Sequence, residues 1–322
     1  MSILKKLTWL AAGLCLSLPV YAKYPAKPIV LIVPFEAAGS TDIIGRIVAD
    51  HLSAELKSPV IVENRSGSGG TVGTTYASHA AADGYTLLLA TAGTHSINPN
   101  LRKVPYDPIG GFVPISLAAK TAVLAAVNPA TGVKNLKDLV ALGKAKPGSL
   151  NFASAGSGSL SHLTGELFNQ LTGAGMVHIP YRGAGPALSD VLAGRVPVIM
   201  NNLPSLLPQA QSGKLQALAV ASEKRSSLLP DVPTAAEAGV PGFEVDGWFG
   251  IVAPAGTPPE VVETLHEAMR TIDTSDKVKA RLNEAGSEPV TSPSSEDFAK
   301  YIAAELARWK GIVDKAGARL DE

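Results

Sequence analysis

A repeated alternation of short apolar runs with amphipathic stretches constrains this chain more than any other feature. Ile29 to Val33 is continuously apolar and rich in β-branched residues, the pattern of a strand buried on both faces. Ser40 to Leu56 follows with helical spacing, placing Ile43, Ile47, Leu52 and Leu56 near one face. Val60 to Val62 is a second strand, Thr71 to Ala82 a helix, and Tyr85 to Ala90 a third strand. Strand–helix–strand order with short connections implies parallel pairing and a doubly wound sheet.

The alternation begins again near Val123. Strands are predicted at Val123–Val127, Asn151–Ser154, Val177–Pro180, Pro197–Met200 and Leu215–Ala221. Between them lie helices at Leu136–Lys146, Ser159–Leu171 and Pro186–Leu192. Trp248 to Ala253 is a further strand. Thr257 is then expected to cap a helix that has Pro258 at its first position and Glu260 closing a capping box. A last helix begins at Ser294 and Asp297 and runs toward Trp309 and Ile312. The order suggests two α/β domains, with the chain returning to the first: residues 23–125 plus 246–322, and residues 126–245. A cleft between hinged α/β domains is a natural ligand site.

The N-terminus looks like a secretion signal. Lys5 and Lys6 precede the apolar run Leu7 to Val20, and Val20-Tyr21-Ala22 offers a cleavage site, so residues 1–22 are expected to be removed on export to the periplasm. The run is too short to span a bilayer, which takes about 20 apolar residues. The single cysteine, Cys15, lies inside it, so disulfides, thiol chemistry and cysteine-bound zinc are not expected in the mature chain. Basic and acidic residues balance at 28 each, and without Lys5 and Lys6 a slight acidic excess remains. With no basic stripe, nucleic acid is not an expected partner.

Ligands of open parallel sheets bind at the C-terminal ends of the strands. Three loops leave such ends and run into helices: Pro34 to Asp42, Thr91 to Ser96, and Ser154 to His162. All are rich in Gly, Ser, Thr and Ala. Helix N-termini carry unpaired N–H groups and about half a positive charge, which suits an anion without any basic side chain. Ser, Thr and Gly also cap helices everywhere, so a single loop of this kind would mean little; three at strand ends point to binding. Arg182, in Tyr181 to Pro186, either clamps a carboxylate or is simply solvated.

Competing chemistries fail on spacing. Gly67 to Gly73 lacks the Lys-Ser/Thr of a phosphate loop and does not match the dinucleotide fingerprint. No serine sits in a G-x-S-x-G elbow, and the six histidines never fall at helical metal-ligand spacing. No metal or cofactor is therefore expected. The remaining enzymatic reading is an exported hydrolase or lyase using Ser157 or Ser159 with His162, which would need a third residue to orient the base.

Several segments in order carry a resemblance. They include Tyr24-Pro25, the Pro34-Phe35 to Asp42 loop, Val62-Glu63-Asn64-Arg65 followed by Gly67 to Gly73, and Asp83-Gly84-Tyr85-Thr86-Leu87. The Ser154 to His162 loop, Pro180-Tyr181-Arg182-Gly183, Leu203-Pro204-Ser205 and Leu229 to Thr234 continue the series. Together they resemble the solute receptors of tripartite tricarboxylate transporters, also called the Bug family, over nearly the whole mature chain. The resemblance implies a two-domain periplasmic-binding-protein-like α/β fold, each domain a mostly parallel sheet flanked by helices. It implies a monomer that captures a small carboxylate in the interdomain cleft and presents it to a membrane permease or a sensor. By match, the ligand would meet Phe35, Gly39, Ser40 and Asp42 in the first loop. In the second domain it would meet Ser154, Gly156, Ser157, Gly158, Ser159 and His162. Thr91 and Ala92 would complete the pocket, with Arg182 and Asn201 as further candidates. Two departures stand out: Ala37 and Ala38 replace a proline and a glycine of the first loop, and Asn201-Asn202 stands where Asp-Asn is frequent. If the replaced glycine needs a positive φ, Ala38 strains or reshapes the loop.

Overall fold

A computed structural model describes residues 24–316. The expected signal, residues 1–22 with Cys15, lies outside the described residues.

The first run of alternation folds as expected: β1 (Ile29–Val33), α1 (Ser40–Leu56), β2 (Val60–Asn64), α2 (Thr71–Ser78) and β3 (Thr86–Thr91), with β1 parallel to both β2 and β3. The short α3 (Asn98–Leu101) leads to β4 (Phe112–Val127), a strand of 16 residues. The second run gives α4 (Leu136–Ala145), β5 (Asn151–Ser154), α5 (Leu160–Thr172), β6 (Val177–Pro180) and α6 (Ala184–Leu192). It closes with β7 (Val198–Asn202), α7 (Leu203–Gln211) and β8 (Gln216–Val220), and β5 is parallel to both β6 and β7. The chain ends with β9 (Asp246–Pro254), α8 (Pro259–Met269), α9 (Asp276–Glu284), the two-residue β10 (Glu288–Pro289) and α10 (Ser295–Ala316).

The strands follow the order β2-β1-β3-β9-β4-β7-β5-β6, with β8 and β10 also on β4. β4 joins the two halves. Its residues Phe112 to Ala122 pair antiparallel with β9, while Val123 to Val127 pair antiparallel with β7. The parallel strands of each half thus flank an antiparallel centre made by β4 and β9.

Burial explains the apolar runs. Ile29, Leu31 and Val33 pack with Ile44, Val48 and Leu52 of α1 and Leu265 and Met269 of α8. Ile32 points to the opposite face and joins the cluster containing Trp248, Phe298 and Trp309. Each such fully buried aliphatic side chain contributes about 1.5–3 kcal/mol.

The capping box expected at Thr257 does not form. The helix starts one residue later, Pro258 is its N-cap, and the Thr257 hydroxyl donates to Pro254 O at 2.8 Å. Pro258 has no N–H and an extended backbone (ψ 141°), which pushes the first helical residue to Pro259. The helix after Gly70 also stops at Ser78, short of the expected Ala82.

Candidate ligand-binding cleft

The two halves meet around a small cavity of about 30 Å³. It lies beyond the C-terminal ends of β1, β3, β5 and β7, where the chain enters the next helices.

The β1 loop is shaped by Asp42. This carboxylate accepts hydrogen bonds from the Ala38 N–H (3.0 Å), Asn64 Nδ2 (3.0 Å) and Arg46 Nε (3.0 Å). Burial raises its pKa, but those donors more than offset the effect and hold it below the usual carboxylate range. Asn64 also donates to Phe35 O at 3.0 Å, tying the loop to β2. Ala38 has φ 64°, the left-handed conformation that the missing glycine would take without strain. Gly39 is the N-cap of α1 and offers no side-chain acceptor, so the first N–H groups of α1 have no side-chain cap.

The β3 loop turns through a π-helical segment, Gly93–Ile97. Thr91 and Thr94 hold it reciprocally: the Thr91 N–H donates to Thr94 Oγ1 (3.1 Å) and the Thr94 N–H to Thr91 Oγ1 (3.2 Å). Tyr106 OH adds a bond to Thr94 O at 2.7 Å. His95 is fully buried behind this turn, and burial pushes its pKa down to about 3, so it is neutral.

The β5 loop is bonded largely to itself. Ser159 caps α5 by accepting from the His162 N–H (3.3 Å) and donates to Gly156 O (2.6 Å). Ser161 Oγ accepts from the Ala155 N–H (2.9 Å). Gly156 and Gly158 take φ values of 120° and 86°. Beneath the loop, His162 stacks on His178 with ring centroids 4.0 Å apart, and His178 Nε2 bonds Ser154 Oγ. His162 Nδ1 accepts from the Gly158 N–H at 3.3 Å. Burial, then the charge of Arg102, pushes the His162 pKa down to about 4; burial, then His162, pushes His178 down to about 3.

These bonds dispose of the enzymatic alternative. Ser159 Oγ is committed to Gly156 O, and His162 faces a backbone N–H and, at 3.8 Å, Glu166. The geometry therefore assembles no nucleophile–base pair from Ser157 or Ser159 with His162.

Of the residues singled out in the sequence, Phe35, Gly39, Ser40, Thr91, Ala92, Ser159 and Asn201 line the cavity. Asp42, Ser154, Gly156, Ser157, Gly158 and His162 stand outside the lining. Asp42, Ser154, Gly156, Gly158 and His162 hold the loops from behind through the bonds above. Arg182 is exposed and outside the cavity. Asn201 Nδ2 donates to Ser205 Oγ at 3.1 Å, a local bond. Thr41, Gly93, Ala155, Leu160, Ser161 and Ala184 also line the cavity and fall inside segments already flagged. Asn202, Gly247 and Trp248 complete it; the latter two lie in the middle of the molecule on β9, where no loop signal marks them. Asn202 Oδ1 and Trp248 Nε1 are buried polar atoms without a hydrogen-bond partner.

Four helices, α1, α5, α6 and α7, begin at this cavity, and no charged side chain is among the described residues that line it. Among the described residues no group of three or more His, Cys, Asp or Glu could hold a metal, and no helix is long and apolar enough to cross a membrane. A cleft between two α/β halves, walled by helix N-termini, defines the class of periplasmic binding proteins. Within that class the chain belongs to the tripartite tricarboxylate transporter family receptors, whose profile matches residues 44–318. These are periplasmic solute receptors and not enzymes. The chain is 39% identical to Protein BugT of Bordetella pertussis over 302 residues, covering 92% of this chain and 91% of that one. The structure of Rpa4515 from R. palustris with adipate superposes with a TM-score of 0.88 at 36% identity, covering 91% of this chain and 98% of that one. MatC from Rhodopseudomonas palustris with bound malate gives 0.86 at 33% identity, covering 90% and 100%.

Proposed function

We propose that the exported chain, freed of residues 1–22, captures a small organic acid in this cleft and presents it to the permease of a tripartite transporter or to a sensor. Residues 23–125 plus 246–322 and residues 126–245 act as two domains that close on the ligand. One observation carries the reading: four helix N-termini converge on a cavity whose lining, among the described residues, contains no charged side chain. Such a site neutralises a carboxylate with backbone N–H groups and hydroxyls. Thr41, Thr91 and Ser161 supply the hydroxyls, and Phe35 and Trp248 the apolar walls. Relatives that hold adipate and malate support carboxylates as the ligand class.

Thermal shift and calorimetry with malate, adipate, glucose and arginine test the reading. A dicarboxylate should raise the melting temperature and bind stoichiometrically, because a ligand at 100 times its Kd stabilises the fold by about 2.7 kcal/mol. A shift with glucose or arginine, and none with either acid, overturns it.

A further inference from the structure

The two halves also touch at the rim of the cleft, away from the cavity lining. Arg102 follows α3 in the half that holds β1. Its Nη2 donates to Ser68 O (2.6 Å) in its own half and to Ser157 O (3.2 Å) in the β5 loop opposite. Its Nε donates to Asn98 Oδ1 at 3.0 Å, and Asn98 Nδ2 in turn donates to Gly69 O (3.3 Å) and Thr71 Oγ1 (2.9 Å). The approach is close enough to require glycine on both sides. A Cβ on Gly69 would lie 2.3 Å from Ser157 O, and one on Gly158 2.1 Å from Asn98 Oδ1. Arg102, Asn98 and Gly69 are all absent from the cavity lining.

We propose that Arg102 is a positioning residue: with Asn98 and Gly69 it forms a latch that holds the Ser154–Ser159 loop against the opposite half whenever the two halves are closed, with ligand or without. The proposal rests on the receptor reading above. A guanidinium is suited to the task because its fixed fork reaches carbonyls on both sides of the cleft at once, and a bond from a charged donor is stronger than a neutral one. Since Arg102, Asn98 and Gly69 stand outside the cavity lining, the latch acts on the lifetime of the closed state.

The test uses the exported chain, whose only cysteine, Cys15, lies in the leader. Ile61→Cys and Leu142→Cys, exposed positions on opposite halves, take a fluorescent pair that reports their separation. Arg102→Ala removes the latch and Arg102→Lys keeps the charge without the fork. Gly69→Ala inserts a wedge, and Gly132→Ala is its control, because Gly132 has a similar φ of 72° with nothing near its Cβ. Arg102→Ala and Gly69→Ala should each weaken malate or adipate binding about tenfold, mainly through faster dissociation. They should also lengthen the label separation, whereas Gly132→Ala should do neither. Arg102→Lys should fall between. A purely structural role would instead lower the melting temperature of the ligand-free chain and leave the separation at saturating ligand unchanged. Unchanged affinity together with unchanged separation in Arg102→Ala and Gly69→Ala overturns the latch. If neither acid binds the parent chain, the receptor reading fails on its own. The ligand-free separations then decide the latch: longer in both variants supports it, coincidence with the parent sinks it.

Discussion

The β1 loop and the β5 loop face each other across the cavity and are built on opposite principles. The first is held from outside by an ion pair: Asp42, fixed by Arg46 and Asn64, grips the Ala38 N–H, and Gly39 leaves the start of α1 uncapped by any side chain. The second is held from within, by serines bonding its own backbone and by a neutral histidine pair beneath it. One wall leaves the start of its helix without a side-chain cap; the other caps its helix through Ser159 and offers a fixed shape. A site made of both is rigid on one side and chemically hungry on the other.

The largest expected effect comes from breaking the shape of the second wall. Gly158→Ala must place a side chain at φ 86° and against Asn98 Oδ1. Calorimetry should show binding of malate or adipate weakened by more than about tenfold, the consequence of strain at a position that only glycine tolerates. Binding retained at parental strength would show that this loop moves freely.

Acid distinguishes the walls next. A histidine whose folded pKa lies below its unfolded value of 6.5 takes up its proton more readily in the unfolded chain. The contribution of His162 and His178 is therefore intact above pH 6.5 and is lost as pH falls toward about 4 and about 3. Asp42, its pKa lowered, keeps its contribution until pH falls below the ordinary carboxylate range. Melting temperature should begin to drop below pH 6.5 and, in His178→Gln, should drop less steeply between pH 6.5 and about 4. Equal slopes would remove the histidine pair from the account.

The smallest effect sharpens the first wall. Ala38→Gly relieves the φ of 64° but adds freedom to the unfolded chain. The net gain should be below about 1 kcal/mol, a rise of roughly 2 °C in melting temperature. No rise would mean that the Asp42 bond to the Ala38 N–H already compensates the backbone.

Much of this was legible because strand ends and helix starts carry strong local signals. The three Gly/Ser/Thr loops border the cavity, and the replaced glycine at Ala38 is left-handed as its absence suggested. What was not legible depends on contacts between distant parts of the chain. Gly247 and Trp248 reach the site only because β9 crosses the molecule beside β4. The first part of β4 is obscured in sequence by Pro114 and by the small and charged residues Ala118 to Lys120, and its register indeed shifts between Pro114 and Ser116. The helix α7 is hidden by Pro204 and Pro208. Proline at the helix start is tolerated because its missing N–H would lack a partner there in any case. Asp42, Ser154 and His162 carry the same sequence signal as the lining residues, yet they stand outside the cavity lining and bond the loops from behind.

β4 has a consequence for how the chain gains and loses its structure. Because one uninterrupted strand supplies a ladder to β9 in one half and to β7 and β8 in the other, neither half possesses a complete sheet of its own. Melting either half would strip β4 of partners and leave unpaired backbone along the border of the other, which is costly and prone to association. The two halves are therefore bound to unfold together as one cooperative unit.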